Sequence, residues 1–275
     1  MLAELREADA AGEIAAIYAE IRRLWGVPYV SSLQRHLATR PGWLEWTWAA
    51  LAPAFAGGQA QRAGWRAAEG LAIPRLPAVS REALRVWGID ADGEATIRAT
   101  CASFVRVAPV NLVFAGLLRR LLAGERPAGS GVPGSSWAPP PLLGRLPPLT
   151  DLAALAPAQR TVLDSLGTTM DGQPFVPGLY RMLAAWPSFL AHVATVLQPH
   201  LRDAVTGAAY QRLLAAIDAE IPVVFATLPV SPAVSPAPPA ADVAGVLAAL
   251  DTYRKTSPEM VVVGRMLGEA LPPQG

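Results

Sequence analysis

The chain has 275 residues, 52% of them hydrophobic and 16% charged, which excludes a disordered polymer and supplies enough apolar surface for a sizeable core. Lys and Arg number 23 against 22 Asp and Glu, a net charge of +1, so no long-range field recruits nucleic acid or an anionic membrane surface. Cys101 is the only cysteine, which rules out an intrachain disulfide, a CxxC redox pair and a cysteine-based zinc site, and fits a reducing cytoplasm.

The first ten residues mix acids with apolar residues and show no basic-then-apolar export pattern. Ile14, Ile17, Tyr18, Ile21, Leu24 and Trp25 then recur at three- and four-residue steps, which predicts a helix with one core face. Gly26 supplies a left-handed stop and Pro28 prevents resumption. Further along, Trp65 to Leu71 reads as a helix carrying Glu69, and Pro109 is expected to open an apolar helix with Asn111 in its first turn. Residues 127–148, rich in Pro, Gly and Ser, have the composition of an extended linker. Residues 182–200 hold no Asp, Glu, Lys or Arg, but Pro187, Pro199, His192 and His200 interrupt a run too weak to span a bilayer, so a buried helix is expected. Strand signals are almost absent; the β-branched run at 223–230 is cut by Pro229.

The chain also contains an echo of itself. Gly26-Val-Pro28-Tyr29-Val30, Leu33, Arg35, Leu37-Ala38 and Pro41 recur as Gly172-Gln-Pro174-Phe175-Val176, Leu179, Arg181, Leu183-Ala184 and Pro187, at a constant offset of 146. Leu44, Leu51 and Pro53 continue the match to Leu190, Leu197 and Pro199, and Phe104 and Pro109 find a weaker one in Tyr253 and Pro258, each proline expected to open an apolar helix and Asn111 falling opposite the apolar Met260. A period this long is far from the roughly 20–50 residues of a solenoid repeat, so it indicates a duplicated domain. The expected architecture is all-α: two tandem copies of one multi-helix unit, 1–126 and 149–275, packed with pseudo-two-fold symmetry and joined by the 127–148 linker. Clefts between such units are common small-molecule sites.

The run Glu13-Ile14, Ile17-Tyr18, Glu20-Ile21-Arg22, then Val27-Pro28-Tyr29-Val30, then Arg35-His36-Leu37-Ala38-Thr39-Arg40-Pro41-Gly42-Trp43-Leu44-Glu45, resembles the opening of the group I haloacid dehalogenase (DehI) family, as does the duplicated plan. The resemblance implies a hydrolase that removes halide from a small 2-halocarboxylic acid, with water attacking C2 directly and no ester intermediate. Such chemistry needs a carboxylate to take the proton of water, a cation or helix end for the substrate carboxylate, and an apolar pocket with donors for the halide. The resemblance also implies a basic aspartate shortly before the Tyr180-Arg181 pair, yet Phe175-Val176-Pro177-Gly178-Leu179 contain no acid.

Candidate catalytic residues are therefore Asp171, which also reads as a turn residue in an Asp-Gly pair; Glu69, which also reads as a solvated partner of Arg66; and Asn111, whose amide would position water. Arg35 and Arg181, present in both repeats, are candidate carboxylate holders or ties between helix ends. Tyr253 is a candidate cleft residue or a core aromatic with a polar tip. Trp43, Trp46, Trp48 and Trp65 read as packing or as a halide pocket. No His spacing suits a metal and no cofactor is called for. A family member without the base, serving as a ligand-binding or structural protein, is the alternative, and a homodimer is compatible with either. The Gly-x-Pro-aromatic-Val pattern is also similar to the carboxymuconolactone decarboxylase group, whose redox members use a CxxC pair that Cys101 alone does not supply.

Overall fold

The computed structural model describes residues 3–127, 129, 137–170, 173–229 and 242–273. The periodic run near the start forms α1 (Gly12–Trp25), which buries Ile17, Tyr18, Ile21, Leu24 and Trp25 and stops at Gly26, whose φ of 64° is the left-handed conformation that glycine adopts without steric cost. Helices α2 (Ser32–Leu37), α3 (Trp43–Ala56), α4 (Gln59–Ala68) and α5 (Arg81–Val86) follow, and then α6 (Ala91–Leu122). Asp90 caps α6 by accepting from the Gly93 amide at 2.8 Å; acids in its first turn and Arg119 and Arg120 in its last complement the helix dipole.

The second half runs through α7 (Pro157–Ser165), a two-stranded antiparallel ribbon of β1 (Thr168–Met170) and β2 (Gln173–Phe175), then α8 (Gly178–Leu183), α9 (Pro187–Leu201), α10 (Ala204–Thr227) and α11 (Val243–Ala270). Among the described residues the fold is all-α apart from that ribbon. An offset of 146 separates both ends of α2 from those of α8.

The core is organised by α6 and α11, which pack against each other more extensively than any other pair, with α4 and α10 laid across them. The approach is close enough to need glycine twice. A Cβ on Gly64 would lie 2.9 Å from the Pro109 backbone, and one on Gly264 would lie 2.9 Å from the Val105 side chain. By length and composition α6 would cross a membrane, but 78% of its apolar window is buried inside the protein, as befits a core helix.

Three sequence expectations need correction. Pro109 and Pro258 open nothing; they lie inside α6 and α11. A proline removes one N–H from the ladder, at a cost of ~3 kcal/mol, and burial of these helices along most of their circumference outweighs it; near the first break, the Trp65 indole donates to the Arg106 carbonyl at 3.0 Å. Residues 182–200 are not one buried helix: the chain turns between α8 and α9, and α9 buries one face only, through Phe189, Leu190, Val193, Ala194 and Leu197. The β-branched run cut by Pro229 forms no strand, as expected: Val223 to Thr227 complete α10, following the helical period of the preceding residues. Finally, α4 ends at Ala68 and Glu69 is its exposed C-cap, with Arg66 bonded to Glu220 at 2.8 Å rather than to Glu69.

Candidate active site

A cavity of about 1020 Å³ opens where α2, α6, α8 and α11 meet, walled in addition by the N-terminal arm and by the irregular segment before residue 152. The paired starts of α2 and α8 bring Ser31, Ser32 and Arg35 from one side and Gly178, Arg181 and Met182 from the other. The middle of α6 contributes Phe104 and Asn111, and the middle of α11 contributes Tyr253, Thr256 and Met260.

Four of the six residues singled out from sequence line this one cavity: Asn111, Arg35, Arg181 and Tyr253. Glu69 is exposed at the end of α4 and is not part of the lining. Asp171 lies outside the described residues. The tryptophans Trp43 and Trp48 are packed into the core instead, Trp48 against Phe55 with ring centroids 5.7 Å apart.

Asn111 is buried, its Nδ2 donating to Ser31 Oγ at 2.8 Å and its Oδ1 accepting from Gln34 Nε2 at 3.2 Å. An amide has two donor hydrogens and two lone pairs, so one of each remains to hold a water or a substrate oxygen. Arg35 pairs with Glu4 at 2.7 Å and donates to Ser32 Oγ at 3.2 Å, which leaves its Nε buried without a partner. Arg181 donates from Nη2 to the Thr150 carbonyl at 3.1 Å. Desolvation holds its guanidinium below the ordinary value and Arg35 adds to that, while Glu4 and Asp151 oppose it. Burial pushes the Tyr253 phenol up, with Glu4 adding to the effect and a hydrogen bond with Ser32 opposing it. Burial likewise pushes up the Tyr29 phenol, whose ring lies 5.8 Å from that of Phe104. The phenols therefore stay protonated at neutral pH and act as neutral donors or apolar wall.

Sequence reasoning missed the charged residues contributed from outside the helices: Glu4, Arg6 and Glu7 on the arm, and Arg145 and Asp151 on the irregular segment. It also missed a half-buried acid on α11, beside the cavity-lining Met260. Glu259 on α11 accepts from the Tyr180 hydroxyl at 2.6 Å, and burial raises its carboxyl above the ordinary range although that bond lowers it. A second hollow of about 520 Å³ lies between α6, α10 and α11, but its arginines are neutralised in place: Arg119 by Asp251, Arg120 by Glu125, and Arg254 by Asp218 at 2.6 Å. The thiol of Cys101 is buried and pushed up to about 12 by desolvation, so it is no nucleophile.

The geometry belongs to a known class of fold, that of the all-α D-2-haloacid dehalogenases. Individually, a D-2-haloacid dehalogenase mutant with D-2-CPA matches with a TM-score of 0.74 at 19% identity over 98% of this chain and 96% of that one. The D-2-haloacid dehalogenase with L-LA matches at 0.73 and 19% identity, covering 98% and 97%, and a further mutant of that enzyme at 0.72 and 20%, covering 98% and 96%. No protein-family model and no curated protein matches the sequence. At this identity the likeness establishes the fold.

Proposed function

We propose that the cleft binds a small 2-halocarboxylic acid and that the protein hydrolyses its carbon–halogen bond, with water attacking C2 and halide departing. The observation that carries this reading is the gathering of Asn111, Tyr253, Arg35 and Arg181 in one cavity of this fold. Asn111 has the spare donor and acceptor to hold water, Arg35, Arg181 and Arg145 together bring positive charge around a substrate carboxylate, and Tyr29, Phe104, Met182 and Met260 provide apolar wall for the carbon chain and halogen. The test is chloride release from racemic 2-chloropropanoate by the purified protein. The reading expects chloride and 2-hydroxypropanoate in equal amounts; no release across several 2-halo acids and pH values overturns it.

One observation favours a second reading, in which the cleft binds the acid without turning it over. Helix α8 begins Pro177-Gly178, so no carboxylate stands just ahead of Tyr180-Arg181. Calorimetric binding of 2-chloropropanoate with no chloride release would select it.

A further inference from the structure

Hydrolysis in this cleft requires a base for water and a cation for the substrate, and neither role suits a group whose polar atoms a neighbour already engages. Most charged side chains of the cavity are so engaged. Glu4 pairs with Arg35 at 2.7 Å; Glu7 pairs with Arg22 and accepts from the Val30 amide at 2.8 Å; Arg6 pairs with Asp9; Arg181 is held by the Thr150 carbonyl. Two remain. Among the described residues, Arg145 makes no hydrogen bond or ion pair, and Asp151 makes no ion pair, using only Oδ1 to cap the Ala153 amide at 3.0 Å.

Resting on the hydrolytic reading above, the geometry points to Asp151 as the base that activates water and to Arg145 as the cation that holds the substrate carboxylate. Both are exposed at the cavity mouth, on the stretch between Gly144 and Leu152, whose later part packs against the start of α8. Arg181 donates to the Thr150 carbonyl at 3.1 Å, and the Leu149 side chain lies 3.8 Å from where a Cβ on Gly178 would be. An acid is thus delivered beside the start of α8 from a different part of the chain. In the step itself, the Asp151 carboxylate takes a proton from water as the water oxygen bonds to C2. The carbon–halogen bond breaks with its electron pair leaving on the halide. Asp151 then passes the proton to solvent, so the products are the 2-hydroxy acid, halide and one proton.

Asp151→Asn keeps an oxygen to cap Ala153, and Arg145→Gln breaks no contact, so both variants are expected to fold, which thermal unfolding checks. With 2-chloropropanoate, Asp151→Asn is expected to lower kcat by roughly 10²–10⁴-fold with KM little changed. Arg145→Gln is expected to raise KM by about tenfold to a hundredfold with kcat little changed, and Arg145→Lys to recover part of the loss. Wild-type kcat in Asp151→Asn, or wild-type KM in Arg145→Gln, overturns the corresponding assignment while leaving the hydrolytic reading intact. Should the unaltered protein release no chloride, that reading and Asp151 as base fall together. Calorimetric titration with 2-chloropropanoate then decides Arg145: binding lost in Arg145→Gln supports it, and equal binding overturns it.

Discussion

Asn111 shows what one buried polar residue commits its neighbours to. Its amide satisfies Ser31 and Gln34 on the opposite wall, so Asn111→Ala leaves both buried groups short of a partner, at a cost of about 1–3 kcal/mol. The expected result is a lower midpoint in thermal unfolding together with reduced chloride release; an unchanged midpoint would mean that water replaces the amide at no cost. Glu259 makes a second prediction, in pH. A carboxyl whose folded-state pKa lies above its unfolded value contributes stability that is complete below the unfolded value and is lost as pH rises through the folded one. Glu259→Gln, neutral at every pH and still able to accept from Tyr180, should therefore unfold roughly 2 °C or more above the unaltered protein at pH 8, with the gap closing toward pH 4. A gap that widens toward acid would show that burial of Glu259 is not the cause. The sequence disclosed Asn111 through its mismatch with Met260 across the two halves, a polar residue where the echo has an apolar one. Glu259 had no such signal, because a single acid amid Met and Val looks the same whether it faces water or Tyr180.

Among the elements, the two long helices set the limits. Gly264 and Gly268 sit one turn apart on α11, yet only the first is pressed against α6: its Cβ would meet Val105 at 2.9 Å, whereas one on Gly268 would meet Cys101 at an ordinary 3.9 Å. Gly264→Val should cost about 1–3 kcal/mol through overpacking, and Gly268→Ala should be neutral or stabilise by up to about 1 kcal/mol through helix propensity. Denaturant unfolding of the pair checks this, and similar losses in both would show that the interface does not discriminate between them. The first helix was fully legible because apolar spacing and the Gly26 stop agreed. Pro109 and Pro258 were misread as helix starts because local rules give proline that meaning, while the packing that lets α6 and α11 continue through them comes from residues distant in sequence. The β1–β2 ribbon went unseen: Thr168 to Met170 is too short to show alternation, and the Asp171-Gly172 pair between its strands suggested only a turn.

At the scale of the molecule, a ligand that binds the cleft should stabilise the folded chain by mass action, about 2.7 kcal/mol at a hundred times its dissociation constant. Racemic 2-chloropropanoate should then raise the unfolding midpoint by roughly 5–10 °C for a chain of this size, provided turnover is slow or the product binds as well; no shift at high concentration argues against a carboxylate site. The internal echo and the family resemblance pointed to the fold, and likeness to dehalogenase structures over 98% of the chain agrees. The site was only half legible. Arg145 is the sole charge between residues 127 and 148, a signal that a segment read as a spacer does more than span a gap, but nothing local says that it turns back onto α8. The N-terminal arm matters in the same way. It is tied down by the Ala3 carbonyl against His36 at 2.8 Å and the Leu5 amide on the Arg35 carbonyl at 3.0 Å, and it brings Glu4, Arg6 and Glu7 to the rim. Those three sum to one negative charge, so peeling the arm away would leave the mouth more positive and wider, and more attractive to anions of any kind. An affinity handle at the N-terminus would be joined to the very arm that lines that mouth, and assays of selectivity are best run on protein that carries none there.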